Sequence, residues 1–184
     1  MRIMFVCHGN ICRSPMAEFI MKHMLKTEGL SDVVTVASSA TSTEEIIMVS
    51  PGSGLAIGNP IYPPAAMELK RQKIPFEQRR AVQLKSSDYD KYDIFLGMDN
   101  ANIRNMHRIF GGDPDSKVMR LMDLTERGGE VADPWYSDRF DIAYRDIYDG
   151  CSALMERIKH DISSRLTRCK SKPNPPKEKN VGCP

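Results

Sequence analysis

The sequence predicts an α/β protein built on an open, doubly wound sheet of four parallel strands with helices on both faces. Three features carry that prediction. The apolar run Ile3 to Val6 is followed by apolar residues at helical spacing (Ala17, Ile20, Met21, Met24, Leu25) and then by the β-branched run Val33 to Ala37. A strand–helix–strand order of this length implies a right-handed parallel crossover. Two later apolar runs, Tyr92 to Met98 and Val118 to Leu121, flank a helical pattern with Ile103, Met106 and Ile109 inward. From Phe140 to Ile162 apolar residues recur at helical spacing again, which predicts a long C-terminal helix.

The elements follow in order. Ser14-Pro15 reads as the start of the first helix, with Ser14 at N-cap and Pro15 at N1. Gly29 reads as its stop. Ser38 to Thr43 reads as a loop at the C-terminal end of the second strand, the side on which open α/β sheets bind ligands. Pro64 to Lys73 reads as a helix with Ala65, Ala66 and Leu69 inward, and Asp99 reads as the cap of the next. Gly111 to Pro114 reads as a turn.

With 184 residues the chain suffices for one domain with a full core. No stretch is long and apolar enough to span a membrane, and the N-terminus lacks a signal-peptide pattern. The five cysteines are scattered and odd in number, so a reduced, cytoplasmic setting is expected. Five cations against one anion give residues 168–184 a charge of +4, which leaves −2 on residues 1–167 of the net +2. The body therefore offers no basic face for nucleic acid.

The first chemical motif is Cys7-His8-Gly9-Asn10-Ile11-Cys12-Arg13-Ser14-Pro15, directly after the first strand. A tight loop that runs into a helix N-terminus points backbone N–H groups inward and forms an anion nest. Arg13 adds a planar fork that matches two phosphate oxygens. Cys7 lies at the base of that positive nest, a surrounding that favours the thiolate. A thiolate aimed at bound phosphate is a nucleophile for phosphoryl transfer. The second motif is Asp133-Pro134-Trp135-Tyr136, in a loop opened by Gly128-Gly129. Phosphoryl transfer to sulfur expels an oxygen anion that needs a proton, which a loop carboxylic acid such as Asp133 can supply. Trp135 and Tyr136 would form aromatic walls for a flat ring.

The segment Val6 to Glu18 resembles the signature of the low-molecular-weight protein tyrosine phosphatases, and further matches run to about residue 165. The resemblance implies that Cys7 is the nucleophile, Arg13 the phosphate clamp and Cys12 an auxiliary thiol. It implies that Asn10 and Ser14 orient the loop and assist the thiolate, with His8, Gly9 and Ile11 completing the phosphate loop. Asp99 and Asn102 match a family position held near that loop, where they would hydrogen-bond the residues that hold phosphate. The implied substrates are phosphotyrosine proteins or peptides and the product inorganic phosphate, with no metal and no cofactor. Relatives that prefer phosphoarginine tend to carry Thr where this chain has Ile11, so Ile11 favours phosphotyrosine.

The resemblance implies a phosphatase domain over residues 1–166. Within it, residues 46–57 read as an inserted loop, with Pro51-Gly52-Ser53-Gly54 excluding a helix interior. A tolerated surface insertion is favoured over a specificity flap. Family members often carry a pocket-wall aromatic near the position of Glu44. Residues 167–184 are basic and proline-rich, a composition that predicts disorder. Two other functions share the signature. An arsenate reductase needs two further relay thiols, and this chain has Gly97 and Met98 where such relatives place one. A non-catalytic phosphate-binding module needs neither the thiol nor the acid.

Overall fold

The computed structural model describes residues 1–48 and 56–170. The main sheet has four strands, β1 (Arg2–Cys7), β2 (Thr35–Ala40), β5 (Ile94–Gly97) and β6 (Val118–Arg120), in the order β2-β1-β5-β6. All neighbours pair in parallel. The fold class therefore matches the prediction. The chain goes from β1 to one side of the sheet, then returns to β1's other side for β5. The C-terminal end of β1 is thus the switch point where open α/β sheets form their crevice. Cys7 is the last residue of that strand.

Alternation along β1 feeds two cores. Ile3, Phe5 and Cys7 face a large core with residues of α1 (Arg13–Thr27), α2 (Pro63–Arg71) and α5 (Phe140–Lys170). Met4 and Val6 face a smaller one with Phe95 of β5 and Met106 of α3 (Asn100–Phe110). Helices thus cover both faces, as period-2 alternation on a buried strand requires. No described helix is long and apolar enough to cross a membrane.

Four local readings need correction. Helix α1 begins at Arg13, with Cys12 at N-cap, so Ser14 is helical and does not cap. Its hydroxyl is engaged instead with the Cys7 sulfur. Strand β2 runs through Ser38 and Ser39 to Ala40, which had read as loop. Both serines are buried, and the Ser38 hydroxyl is held by Asn10 and Glu18, tertiary partners that local propensity does not see. The insertion 46–57 is a hairpin at both ends: β3 (Ile46–Met48) pairs antiparallel with β4 (Ala56–Gly58). Pro51 to Gly54 lie outside the described residues. Helix α5 continues to Lys170, past the expected stop at Thr167, while the rest of the basic tail lies outside the described residues.

Candidate active site

The phosphate loop is positioned by Asn10. Its backbone is left-handed at φ 58°, a conformation Asn accepts more readily than most residues. Its side chain, 1% exposed, makes four hydrogen bonds. Oδ1 accepts from the Val82 backbone N–H at 2.9 Å and from Arg79 Nη2 at 2.8 Å. A backbone N–H can only donate, which fixes which way the amide points. Nδ2 therefore donates to Ser14 Oγ and to Ser38 Oγ, both at 2.9 Å. Ser38 passes its own proton to Glu18 Oε2 at 2.6 Å.

That chain of donors ends at Cys7. Ser14 Oγ, which accepts from Asn10, lies 3.0 Å from Cys7 Sγ, and its O–H can donate to a sulfur anion there. The backbone N–H of Asn10 points at the same sulfur at 3.2 Å. Two donors converging on sulfur suit a thiolate. The N–H groups at the start of α1 have no intrahelical acceptor, so the loop and helix start offer the donors of an anion nest. Gly9 is needed for space, since a Cβ there would lie 2.8 Å from Glu45 Cγ.

Arg13 joins the two motifs. Its side chain is buried, and its fork is split between carboxylates: Nη1 meets Asp99 Oδ2 and Nη2 meets Asp133 Oδ2, each at 2.8 Å. Burial works against its charge, but Cys7, Asp133 and Asp99 outweigh that and hold the guanidinium above its ordinary value. Cys12 behaves oppositely. Burial, reinforced by Cys7 and Asp133, pushes its thiol up to about 12.

The expected residues fall into two groups. Cys7, Asn10, Arg13, Ser14, Asp99 and Asp133 form one connected set. Asp99 also caps α3 as predicted, accepting from the Asn102 N–H at 2.7 Å. Asn102 itself turns away to accept from the Met98 N–H. Asp133 caps the short helix α4 (Pro134–Ser137) through the Trp135 N–H at 3.1 Å. Trp135 is half exposed and packs on Tyr62, with ring centroids 5.5 Å apart, while Tyr136 is 88% exposed with its ring free of aromatic neighbours among those described. His8, on the loop's outer side, pairs with Glu44 at 2.8 Å.

Sequence reasoning missed Tyr62 and Arg79. Tyr62 donates its N–H to Ile11 O at 2.9 Å and sets its ring between Trp135 and Phe140. Arg79 reaches Asn10 from behind the loop, with Glu18 3.7 Å from its Nε. Burial pulls its guanidinium below the ordinary value. Neither residue stands in a motif, so only an alignment of relatives or a structure would reveal them.

Comparison with known proteins places this arrangement. The family model described as low molecular weight phosphotyrosine protein phosphatase matches residues 2–164. Among curated relatives, the low molecular weight protein-tyrosine-phosphatase YfkJ of Bacillus subtilis is 32% identical over 161 residues, covering 86% of this chain and 96% of that one. Its crystal structure superposes with a TM-score of 0.76 over 88% of this chain and 96% of its own. The low molecular weight protein tyrosine phosphatase SP-PTP of Streptococcus pyogenes gives a TM-score of 0.70 at 34% identity, covering 85% of this chain and 91% of its own.

Proposed function

This chain belongs to the low-molecular-weight phosphotyrosine protein phosphatase family, and on that premise we propose that it hydrolyses phosphotyrosine monoesters of protein or peptide substrates through a phosphocysteine on Cys7. The observation that carries the reading is the single guanidinium of Arg13, which ties the Cys7 loop to Asp133 across 120 residues of sequence. A binding module needs no acid at that place. An arsenate reductase needs relay thiols, and Cys151 is fully buried against Ala17 O.

The proposed chemistry has two steps. The phosphoryl group enters the nest and takes Arg13 Nη2 from Asp133, so the clamp closes on substrate as the acid is released. Freed from Arg13, Asp133 takes up a proton from solvent; the Cys7 thiolate then attacks phosphorus, the P–O bond to the tyrosine breaks, and Asp133 gives that proton to the departing phenolate oxygen. Water next attacks the phosphocysteine, Asp133 takes its proton, and inorganic phosphate leaves with Cys7 restored. Ser14 and the Asn10 N–H stabilise the sulfur anion whenever it is free. Asn10, Ser38, Glu18 and Arg79 hold the loop in shape. Tyr62, Trp135 and Tyr136 flank the entrance, and Ile11 favours an aryl over a guanidinium phosphate. We assign the phosphatase unit to residues 1–166, with the basic segment appended to it, and a reducing cytoplasmic setting, which the free thiols of Cys7, Cys12 and Cys151 support.

The test is hydrolysis of phosphotyrosine, phosphoserine and phosphoarginine peptides in chelator-treated buffer by the wild type, Cys7→Ser and Asp133→Asn. The expected result is preference for phosphotyrosine, no turnover by Cys7→Ser, and a loss of at least ~100-fold in Asp133→Asn. Turnover by Cys7→Ser, or wild-type preference for phosphoserine or phosphoarginine, overturns the reading.

A further inference from the structure

We infer that Asp146, on α5, is the positioning residue for the proton donor: it holds the Asp133 loop at the depth from which that carboxyl reaches the leaving oxygen. The inference rests on the reading of Asp133 as the acid. Three observations lead to it. Asp146 is a carboxylate with only 3% of its surface exposed, in the middle of the core-facing side of α5. Its Oδ2 accepts the backbone N–H of Ala132 at 3.1 Å, one residue before Asp133. Its Oδ1 takes Arg127 Nη2 at 2.7 Å, at the start of the same loop.

A buried carboxylate is costly unless it is paired and hydrogen-bonded. Both partners of Asp146 come from one segment, residues 127–132, which turns through Gly128 at φ 63° and Gly129 at φ 92°. Those two left-handed glycines make the segment easy to reshape. Asp146 ties it on either side of them. The neighbouring tie is Val131, whose N–H donates to Met98 O at 2.9 Å and whose side chain is buried. Past Ala132, Asp133 is part-exposed, Pro134 is buried, and Trp135 and Tyr136 are exposed. The Ala132–Asp146 bond is the last backbone tie on the N-terminal side of the acid. When phosphate draws Arg13 away, Asp133 loses its ion pair, and the tether at Ala132 is what keeps it in range.

A proton donor matters in proportion to how badly the leaving group needs a proton, and that gives a readout a merely structural role does not move. Asp146→Ala and Asp133→Asn are compared with wild type by kcat on phenyl phosphate, a poor leaving group, and p-nitrophenyl phosphate, a good one. Misplacement of a reacting group by about an ångström costs up to ~100-fold. The expected result for Asp146→Ala is a loss of roughly 10-fold or more on phenyl phosphate with no more than ~3-fold on p-nitrophenyl phosphate. KM for both should stay near wild type. Equal losses on the two substrates, or no loss on phenyl phosphate, overturn the inference. If Asp133→Asn shows the leaving-group dependence and Asp146→Ala does not, the tether fails while the acid assignment stands. If Asp133→Asn shows none, both fall. Should Asp146→Ala not fold, Arg127→Ala serves instead, because its side chain is more than half exposed. It should show the same selectivity at smaller size, and a flat response overturns the inference in that case.

Discussion

Asn10 lies 1% exposed with four hydrogen bonds to its amide, while Tyr136, on the acid-bearing loop, is 88% exposed. Both belong to the same candidate site, and the contrast separates two kinds of construction. The sulfur-bearing loop is cross-linked from within: its left-handed residue, its donors and its directional hydrogen-bond chain hold one another in place. Such preorganisation is where electrostatic stabilisation of a transition state comes from. The acid-bearing loop has two left-handed glycines, a few backbone ties and exposed rings. Beyond the buried Val131, only Pro134 of α4 is buried. One side is cross-linked throughout, the other is tied at a few points, and Arg13 connects them.

The largest expected effect comes from breaking that connection. Arg13→Lys keeps a positive charge but not the fork, so one of Asp99 and Asp133 loses its partner. A loss of roughly 10²–10³-fold in kcat/KM is expected, the scale seen when one preorganised donor is removed. Steady-state kinetics on an aryl phosphate checks it. A loss under tenfold would mean that a point charge suffices and that the planar fork has no special role.

Asn10→Ala tests the rigidity of the first region. It leaves the Val82 N–H without an acceptor, leaves Arg79 Nη2 only the long bond to Ser38 O at 3.4 Å, and puts Ala at a φ of 58°. Together these should cost about 3 kcal/mol, or a fall in Tm of roughly 6–12 °C for a domain of this size. Turnover should fall with it, since Ser14 loses the donor that aims its own proton at Cys7. Thermal unfolding with parallel kinetics separates the two. An unchanged Tm would show that the loop holds its shape without this side chain.

Trp135→Ala addresses the open region. Its ring packs on Tyr62 and touches no part of the sulfur network among the described contacts. KM for a phosphotyrosine peptide should rise roughly 3–10-fold, the value of one aromatic contact, with kcat nearly unchanged. A fall in kcat at constant KM would place Trp135 with the acid instead of the substrate.

The same contrast explains what could be read from the sequence. Cys7, Arg13 and the Asp99 cap are legible because each depends on chain neighbours: a strand end, a helix start, a cap three residues from its donor. Asp133-Pro134 is legible for the same reason, since its cap is local. Ser14 was misread as a cap because its local chemistry permits capping, and a sulfur seven residues back claimed the hydroxyl instead. Ser38 reads as loop because its partners, Asn10 and Glu18, lie 20 or more residues away. Tyr62, Arg79 and Asp146 were invisible for that reason too. Each acts through a backbone or amide group far off in sequence, and no local spacing encodes such a pairing. The four-stranded parallel order was recoverable because hydrophobic periodicity and crossover rules constrain it globally.

The smallest effect concerns the second thiol of the rigid loop. Cys12 stands at the N-cap of α1 but makes no capping hydrogen bond, so Cys12→Ala forfeits none. Burial holds its proton up to about 12, so at neutral pH it is a thiol and not a second nucleophile. Basal turnover by Cys12→Ala should stay within about twofold of wild type, and brief iodoacetate treatment at neutral pH should label Cys7 and spare Cys12. Stability carries the matching signature. The folded Cys12 keeps its proton to about 12, whereas the unfolded chain releases it near 9. Above pH 9 the unfolded state therefore binds fewer protons, and stability falls as pH rises through that window. Cys12→Ala lacks this loss, so the Tm difference between wild type and variant should narrow from pH 8 to pH 10. A constant difference, or carboxymethylation of Cys12 as fast as of Cys7, would mean that Cys12 does not hold its proton as its surroundings imply.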